Sequence, residues 1–162
     1  MVRETLIGAV AGAAGTVALN VTTYLDMTVR SRPSSNAPSK MVDTLGKSIG
    51  LSYSTQGEGS QDPAMQHREN GLGALLGYMN GLGTGIAYGL LRTRLKHVPI
   101  PLASIGVGLS AMAASDVSLV ALHVSNPKTW CFAGWAADSI PHLVYGLVTV
   151  ITYEAAYSAE GR

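Results

Sequence analysis

Five glycines recur at every fourth position of a stretch that carries no charged side chain. They are Gly73, Gly77, Gly81, Gly85 and Gly89. Glycine costs about 1 kcal/mol relative to alanine in a water-exposed helix, so a soluble helix rarely carries five of them. In a membrane, a glycine stripe on one helix face lets another helix approach closely. The stretch therefore predicts a membrane-spanning helix whose five glycines are helix-packing residues.

The composition favours an integral membrane protein that forms one domain over residues 1–162. Charged residues make up 13% of the chain, about half the share usual in soluble proteins. The net charge of +1 gives no reason to expect a nucleic-acid partner. The chain has one cysteine, Cys131, so no internal disulfide can form, and we expect this side chain to be small and buried.

Four apolar stretches have the length that a bilayer requires. They cover about residues 5–29, 71–91, 99–123 and 129–153. Each has roughly the 20 residues that cross a hydrocarbon core of ~30 Å, and such segments must be helical to satisfy their backbone polar groups. The predicted fold is an all-α integral membrane four-helix bundle, in which short links make the second and third spans, and the third and fourth spans, antiparallel neighbours.

The long first loop, residues 30–70, carries a second, shorter helical pattern. Met41, Val42, Leu45 and Ile49 share one face of a short amphipathic helix. Such a helix either lies on the membrane surface or packs on the end of the bundle, and the sequence leaves both open. Residues 53–66 are polar and rich in Gly and Ser, which predicts a mobile loop.

Basic residues give conflicting evidence on orientation. Arg92, Arg94 and Lys96 lie within five positions in a short link, which favours both termini on the cytoplasmic side. Arg30 and Arg32 favour the opposite orientation.

A weak internal repeat relates the two halves of the chain. Gly12 and Asn20 match Gly108 and Asp116 at a constant separation of 96 residues. A Tyr-Gly-Leu triplet also begins at Tyr88 and at Tyr145. These matches predict two helical hairpins related by a parallel pseudo-twofold axis.

Ionisable residues inside the spans are the candidate functional groups, because each is costly to place in a bilayer. Asp138 and His142 are four residues apart on one face of the fourth span, on a stripe that includes Gly134. Pro141 lies between them and is expected to act as a hinge that leaves the Ala137 carbonyl without its helical donor.

Asp116 of the third span is costly to bury without a partner. We expect its partners to be His142, Asn20 or Tyr24, if spans one, three and four converge. The candidate polar or transport site is therefore Asp116, Asp138, His142, Asn20 and Tyr24. It would hold a proton, an ion or a polar head group; alternatively, the same groups lock the bundle together by hydrogen bonding.

The usual catalytic and nucleotide-binding motifs are absent from the sequence. There is no H-E-x-x-H, G-x-S-x-G or G-x-x-x-x-G-K-[ST]. We therefore predict no catalytic residues, no metal and no cofactor, although Asp116, Asp138 and His142 could supply ligands if folding gathered them. Four aromatic residues fall near predicted span ends, as in an aromatic belt at the membrane interface: Trp130, Trp135, Tyr24 and Tyr153.

Three segments resemble those of small four-span membrane proteins of actinobacteria. They are Gly8-Ala-Val-Ala-Gly-Ala-Ala-Gly15, Arg32-Pro-Ser-Ser35 with Pro38, and Asp138-Ser-Ile-Pro-His-Leu-Val-Tyr-Gly146. The last is also similar to a late span of YagU-like inner-membrane proteins. The resemblance implies a bacterial inner-membrane location and no particular activity, and it points to Pro141 and His142.

Three functions fit the sequence. The first is an accessory or scaffold subunit, or a homo-oligomer, that joins itself or another membrane protein through the glycine-rich helix face. The second is a conduit or carrier for protons, ions or a small polar or lipidic solute. In it, the aspartates accept the proton or cation and His142 acts as a pH-sensitive gate. The third is an intramembrane enzyme.

Overall fold

The computed structural model describes residues 1–50 and 63–159, and this part of the chain is helical, with no strands. Its α-helices are α1 (Val2–Arg30), α2 (Ala37–Ser48), α3 (Pro63–Arg92), α4 (Ile100–Ala121) and α5 (Phe132–Ala159), with a 3₁₀ turn at Pro127–Thr129. The all-α prediction is confirmed.

Helix α1 lies between two partners, because it packs extensively against both α3 and α5. Helix α4 packs on α5, and the contact between α3 and α4 is much smaller. The short α2 packs against α3, where Pro38 meets Gly73 and Ser39 Oγ donates to Asn70 Oδ1 at 2.6 Å. The expected amphipathic helix therefore forms, and its partner is α3.

The glycine stripe of α3 is occupied inside the molecule. A Cβ added at Gly12 of α1 would lie 2.5 Å from the Gly81 carbonyl oxygen, and one added at Gly85 would lie 2.6 Å from the Gly12 Cα. Gly89 likewise faces the Glu4 carbonyl and the Tyr153 ring. Since Gly73 faces α2, four of the five glycines sit in contacts within the chain, and only Gly77 has open space around it.

Helices α4 and α5 repeat this close approach. A Cβ at Gly108 would lie 2.6 Å from the His142 carbonyl oxygen, and one at Gly146 would meet the Ser104 carbonyl and, at 2.5 Å, the Gly108 nitrogen. The lack of side chains at these two positions brings the two backbones into contact.

The two contacts are equivalent residue by residue. Gly85 of α3 faces Gly8 and Gly12 of α1. In the same way, Gly146 of α5 faces Ser104 and Gly108 of α4. The separation of 96 residues between α1 and α4 agrees with the predicted repeat, whereas α3 and α5 correspond at a separation of 61. The Tyr-Gly-Leu triplets are therefore not equivalent, because they are offset by one helical turn from the glycine contacts.

Buried tyrosines fasten α5 to the parallel α3. Tyr145 Oη donates to the Gly81 carbonyl at 2.6 Å, and two turns later Tyr153 Oη donates to the Gly89 carbonyl at 3.2 Å. Both rings are buried, with about 1% of each residue exposed. Each hydroxyl finds the partner that burial requires, on a backbone that glycine leaves accessible.

Two helices, α1 and α4, are long and apolar enough to cross a membrane. Helices α3 and α5 do not meet the same criterion, since glycines and polar residues dilute their hydropathy. All four nevertheless expose large apolar side chains, among them Val10, Leu75, Leu109 and Leu147. The four-span arrangement remains a prediction.

Two local expectations are corrected. Residues 63–66, expected in a mobile loop, are the first turn of α3, whose polar start extends eight residues beyond the predicted span; residues 53–62 lie outside the described part. Cys131 is exposed rather than buried, because it lies between the 3₁₀ turn and the start of α5.

Candidate functional site

The α4–α5 contact brings two acidic side chains together. Asp116 lies near the C-terminal end of α4, while Asp138 and His142 lie two and three turns into the antiparallel α5. The glycine contacts at Gly108 and Gly146 set the register between the two helices. Asp116 interacts with both Asp138 and His142, so three of the five predicted site residues converge.

The geometry of His142 fixes which ring nitrogen carries a hydrogen. His142 Nδ1 lies 2.8 Å from the main-chain carbonyl oxygen of Asp138 and 3.5 Å from Asp138 Oδ1. A carbonyl oxygen only accepts, so Nδ1 must be the donor. In the neutral ring, Nε2 is then left as the nitrogen that takes up a proton.

The two carboxylate oxygens of Asp138 have different surroundings. Its side chain is 25% exposed, yet its Oδ2 atom is buried and no donor is directed at it. The carboxyl group of Asp116 is close enough to interact with the carboxyl group of Asp138. Two carboxylates only accept hydrogen bonds, so this contact becomes a hydrogen bond when one of the two acids holds a proton.

The side-chain directions explain why these two acids meet although their backbones are not opposite each other. Continuing the register of the Gly108–His142 contact by two turns places Asp116 opposite Gly134. The Cα–Cβ bonds of a helix tilt toward its N-terminus, so in an antiparallel pair the two acids lean toward each other along the contact.

Gly134 leaves space beside this pair. A Cβ added there would have Trp130 Cβ as its nearest neighbour, at 3.7 Å, which is ordinary van der Waals contact. Helix α4 therefore makes no close contact with α5 at Gly134, whereas it does at Gly146. The gap is on the side of the 122–131 connection, where the Trp130 and Trp135 rings pack at 5.2 Å.

The remaining predicted residues are placed elsewhere. Tyr24 is 61% exposed on α1, Asn20 is half-buried, and neither side chain forms a hydrogen bond within the described residues. Pro141 is buried, and α5 is continuous through it. In residues 1–50 and 63–159, no group of three His, Cys, Asp or Glu side chains has the arrangement of a metal site.

A second polar cluster, at the opposite end of the bundle, was not anticipated. Arg92 Nε donates to Glu154 Oε1 at 2.5 Å, and Tyr88 Oη donates to the same oxygen at 3.1 Å. Arg92 Nη1 also donates to the carbonyls of Leu95 and Val98. The sequence signal is faint: one acid near the end of α5, and an arginine at the end of α3 that is the first of three closely spaced basic residues.

No protein-family model, curated protein or solved structure matches this chain. The resemblance to four-span actinobacterial proteins therefore rests on the quoted motifs alone, and the site has to be interpreted from its own geometry.

Proposed function

We propose that this protein is a four-span membrane protein that carries or conducts protons through the Asp116–Asp138–His142 cluster. The observation that supports this most is the meeting of two carboxyl groups and one imidazole between α4 and α5, with Asp138 Oδ2 buried and lacking a donor. A lone ion pair would need one acid. The second acid gives the cluster a further carboxyl group that can hold a proton.

The cluster offers a short proton path. Two adjacent carboxyls in a medium of low dielectric constant do not both ionise, so the pair retains one proton. When His142 becomes protonated at Nε2, its positive charge lets both acids ionise, and the shared proton can leave. In this role the aspartates are the proton acceptors and His142 is the pH-sensitive gate.

The gap at Gly134 supplies the access that such a site needs. In the register that the Gly108–His142 contact sets, it lies at the level of Asp116 on the side of the 122–131 connection, so protons would enter from that end of the bundle. On the opposite side, the close contact at Gly146 leaves no comparable space between α4 and α5.

Placement of all four long helices in the bilayer is part of the proposal. It is supported by the large apolar side chains that α1, α3, α4 and α5 each direct outward. Apart from the Ala137 carbonyl, which loses its donor at Pro141, the interior backbone groups of α3 and α5 pair within the helices, so these segments can enter lipid despite their lower hydropathy.

The alternative functions have less support. The scaffold or oligomer hypothesis relied on a free glycine face, and four of those five glycines face α1, α2 or α5 instead. The enzyme hypothesis gains no nucleophile with an adjacent base in the described cluster. Both remain proposals with no observation that favours them here.

Proton flux into proteoliposomes tests the proposed function. The protein is reconstituted with an internal pH-sensitive dye, a pH gradient is imposed, and the membrane potential is clamped with potassium and valinomycin. Wild-type protein should dissipate the gradient faster than protein-free vesicles, and Asp138→Asn/His142→Ala should reduce the rate to that of protein-free vesicles. Equal rates for wild type and the double variant would remove these residues from any proton path.

A matched control separates the site from general effects of removing an acid. Asp43 is ion-paired with Lys47 at 2.7 Å on α2, which packs on α3 and contributes no group to the cluster, so Asp43→Asn should leave flux unchanged. Gly134→Leu should slow flux while the protein stays folded, because its Cβ meets no close neighbour.

A further inference from the structure

A groove separates the C-terminal half of α3 from the N-terminal half of α4. Its volume is about 270 Å³. Most of its lining residues are apolar or small, including Ala87 and Leu91 on α3 and Leu102, Gly106 and Ser110 on α4, and Arg92 lies at one end. We call it the α3–α4 groove.

The pseudo-symmetry explains why the groove exists. The equivalent contact in the other half is that of α1 with α5, where Gly15 fits against Tyr145 and Thr149. At the separations of 96 and 61 residues, the matching positions are Ala111, Thr84 and Tyr88. Ala111 adds a methyl group where Gly15 has none, and Thr84 replaces a ring, so the two helices meet less closely there.

Both ends of the groove are closed by polar contacts. At one end, Asn80 Nδ2 of α3 donates to the Ala111 carbonyl of α4 at 3.0 Å. At the other end, Arg92 holds the 93–99 connection through the carbonyls of Leu95 and Val98. The long sides have exposed rims, with Leu91 47% and Leu102 58% exposed, so the groove opens sideways from the bundle.

The size and the apolar lining of the α3–α4 groove favour one kind of ligand. The volume is slightly below the ~300 Å³ at which pockets for small molecules begin. A further helix has a diameter of about 10 Å with its side chains and does not fit. A single acyl chain is apolar, flexible and thinner than a helix, so part of it can enter such a groove from the side.

The charges at the end of the groove near Arg92 favour an anionic head group. Arg94 and Lys96 are exposed in the connection that closes the groove, and their side chains form no ion pair or hydrogen bond among the residues described. Glu154 is already engaged by Arg92. Two free cations at the end of an acyl-chain slot complement a lipid phosphate with net negative charge.

We propose that an anionic phospholipid binds here, with one acyl chain in the α3–α4 groove and its phosphate against Arg94 and Lys96. The proposal rests on the bilayer placement proposed above but not on proton flux, because Gly106 is ten residues, about 15 Å along α4, from Asp116.

Native mass spectrometry of the detergent-solubilised protein tests the site. Phosphatidylglycerol and phosphatidylcholine with identical acyl chains are titrated separately. Wild type should bind phosphatidylglycerol more tightly. Arg94→Gln/Lys96→Gln should abolish that preference, with a loss of about fivefold in affinity for each cation removed. Equal binding of the two lipids by wild type would overturn the proposal.

Glycine variants test the groove itself. A Cβ at Gly106 or at Gly77 meets nothing within 4 Å, so both accept leucine, but only Gly106 lines the groove. Gly106→Leu should weaken phosphatidylglycerol binding and Gly77→Leu should not; Ser110→Leu, one turn further along the same wall, is the second variant. Unchanged binding by both groove variants, or equal weakening by Gly77→Leu, would refute a specific site. Proton flux measured on the same variants shows whether the Asp116 site is intact.

Discussion

At the residue scale, the decisive feature is that Asp138 has two different neighbours. His142 binds its backbone carbonyl and lies beside one carboxylate oxygen, while the other carboxylate oxygen is buried without a donor and the Asp116 carboxyl interacts with that of Asp138. The sequence predicted the i, i+4 pair from spacing alone. It did not predict the contact between the two acids, because that depends on the register that Gly108 and Gly146 impose.

Replacing Asp116 in two ways tests the shared proton. The amide of Asp116→Asn can donate to Asp138 Oδ2 without a proton, so its free energy of unfolding should stay within about 1 kcal/mol of wild type. Asp116→Leu leaves that oxygen buried and unpartnered and should lose about 1–3 kcal/mol. Reversible unfolding in mixed micelles measures both. Equal stability of the two variants would contradict a hydrogen bond between the acids.

Arg92 provides a second test at this scale, at the opposite end of the bundle. Arg92→Gln removes the ion pair with Glu154 and the bonds that hold the 93–99 connection. Trypsin should then cleave faster after Arg94 and Lys96 than in wild type, while cleavage after Lys128 should be unchanged. The same cleavage rate in both proteins would show that Arg92 does not restrain the connection.

At the element scale, glycine position decides which helices touch. The four-residue spacing on α3 predicted a packing face but did not identify which helices lie against its glycines. Gly8 and Gly12 of α1 supply the complementary backbone, at a spacing that also occurs on α4 as Ser104 and Gly108. The presence of the helices, including the amphipathic α2, could be predicted from the sequence pattern. Which helices pack against each other depends on such contacts between pairs of residues, and a single sequence does not show them.

Two glycines on α3, eight residues apart on the same stripe, form a matched pair for testing this. A methyl group at Gly85 meets the Gly8 carbonyl and the Gly12 backbone, so Gly85→Ala should destabilise the bundle by about 1–3 kcal/mol. Gly77→Ala meets nothing and should be neutral or stabilising by up to about 1 kcal/mol, since alanine favours the helix. Similar effects of the two changes on the free energy of unfolding would contradict the α1–α3 contact.

At the scale of the whole molecule, two helical hairpins are joined side by side with unequal contacts. The α1–α5 contact is close, and its pseudo-symmetric counterpart, α3–α4, is the groove. The repeat was visible in the sequence at the correct separation for α1 and α4, but Gly- and Ala-rich segments match in several registers. Only the backbone contacts distinguish a separation of 61 residues from one of 57.

The number of spans is the claim on which this account depends most. If α1, α3, α4 and α5 all cross the bilayer, the connection before α5 and the end of α5 lie on opposite sides. If only α1 and α4 cross, both lie on the same side. Cys131, the single cysteine of the chain, is exposed at the first of these points, and Ser158 is exposed at the second.

The direct measurement is labelling with a membrane-impermeant maleimide in sealed vesicles of known orientation, comparing native Cys131 with the variant Cys131→Ser/Ser158→Cys. If all four long helices cross the bilayer, one of the two cysteines is labelled from outside and the other is labelled only after the vesicles are permeabilised. Labelling of both from the same side would contradict the four-span bundle and the intramembrane position of the Asp116–Asp138–His142 cluster.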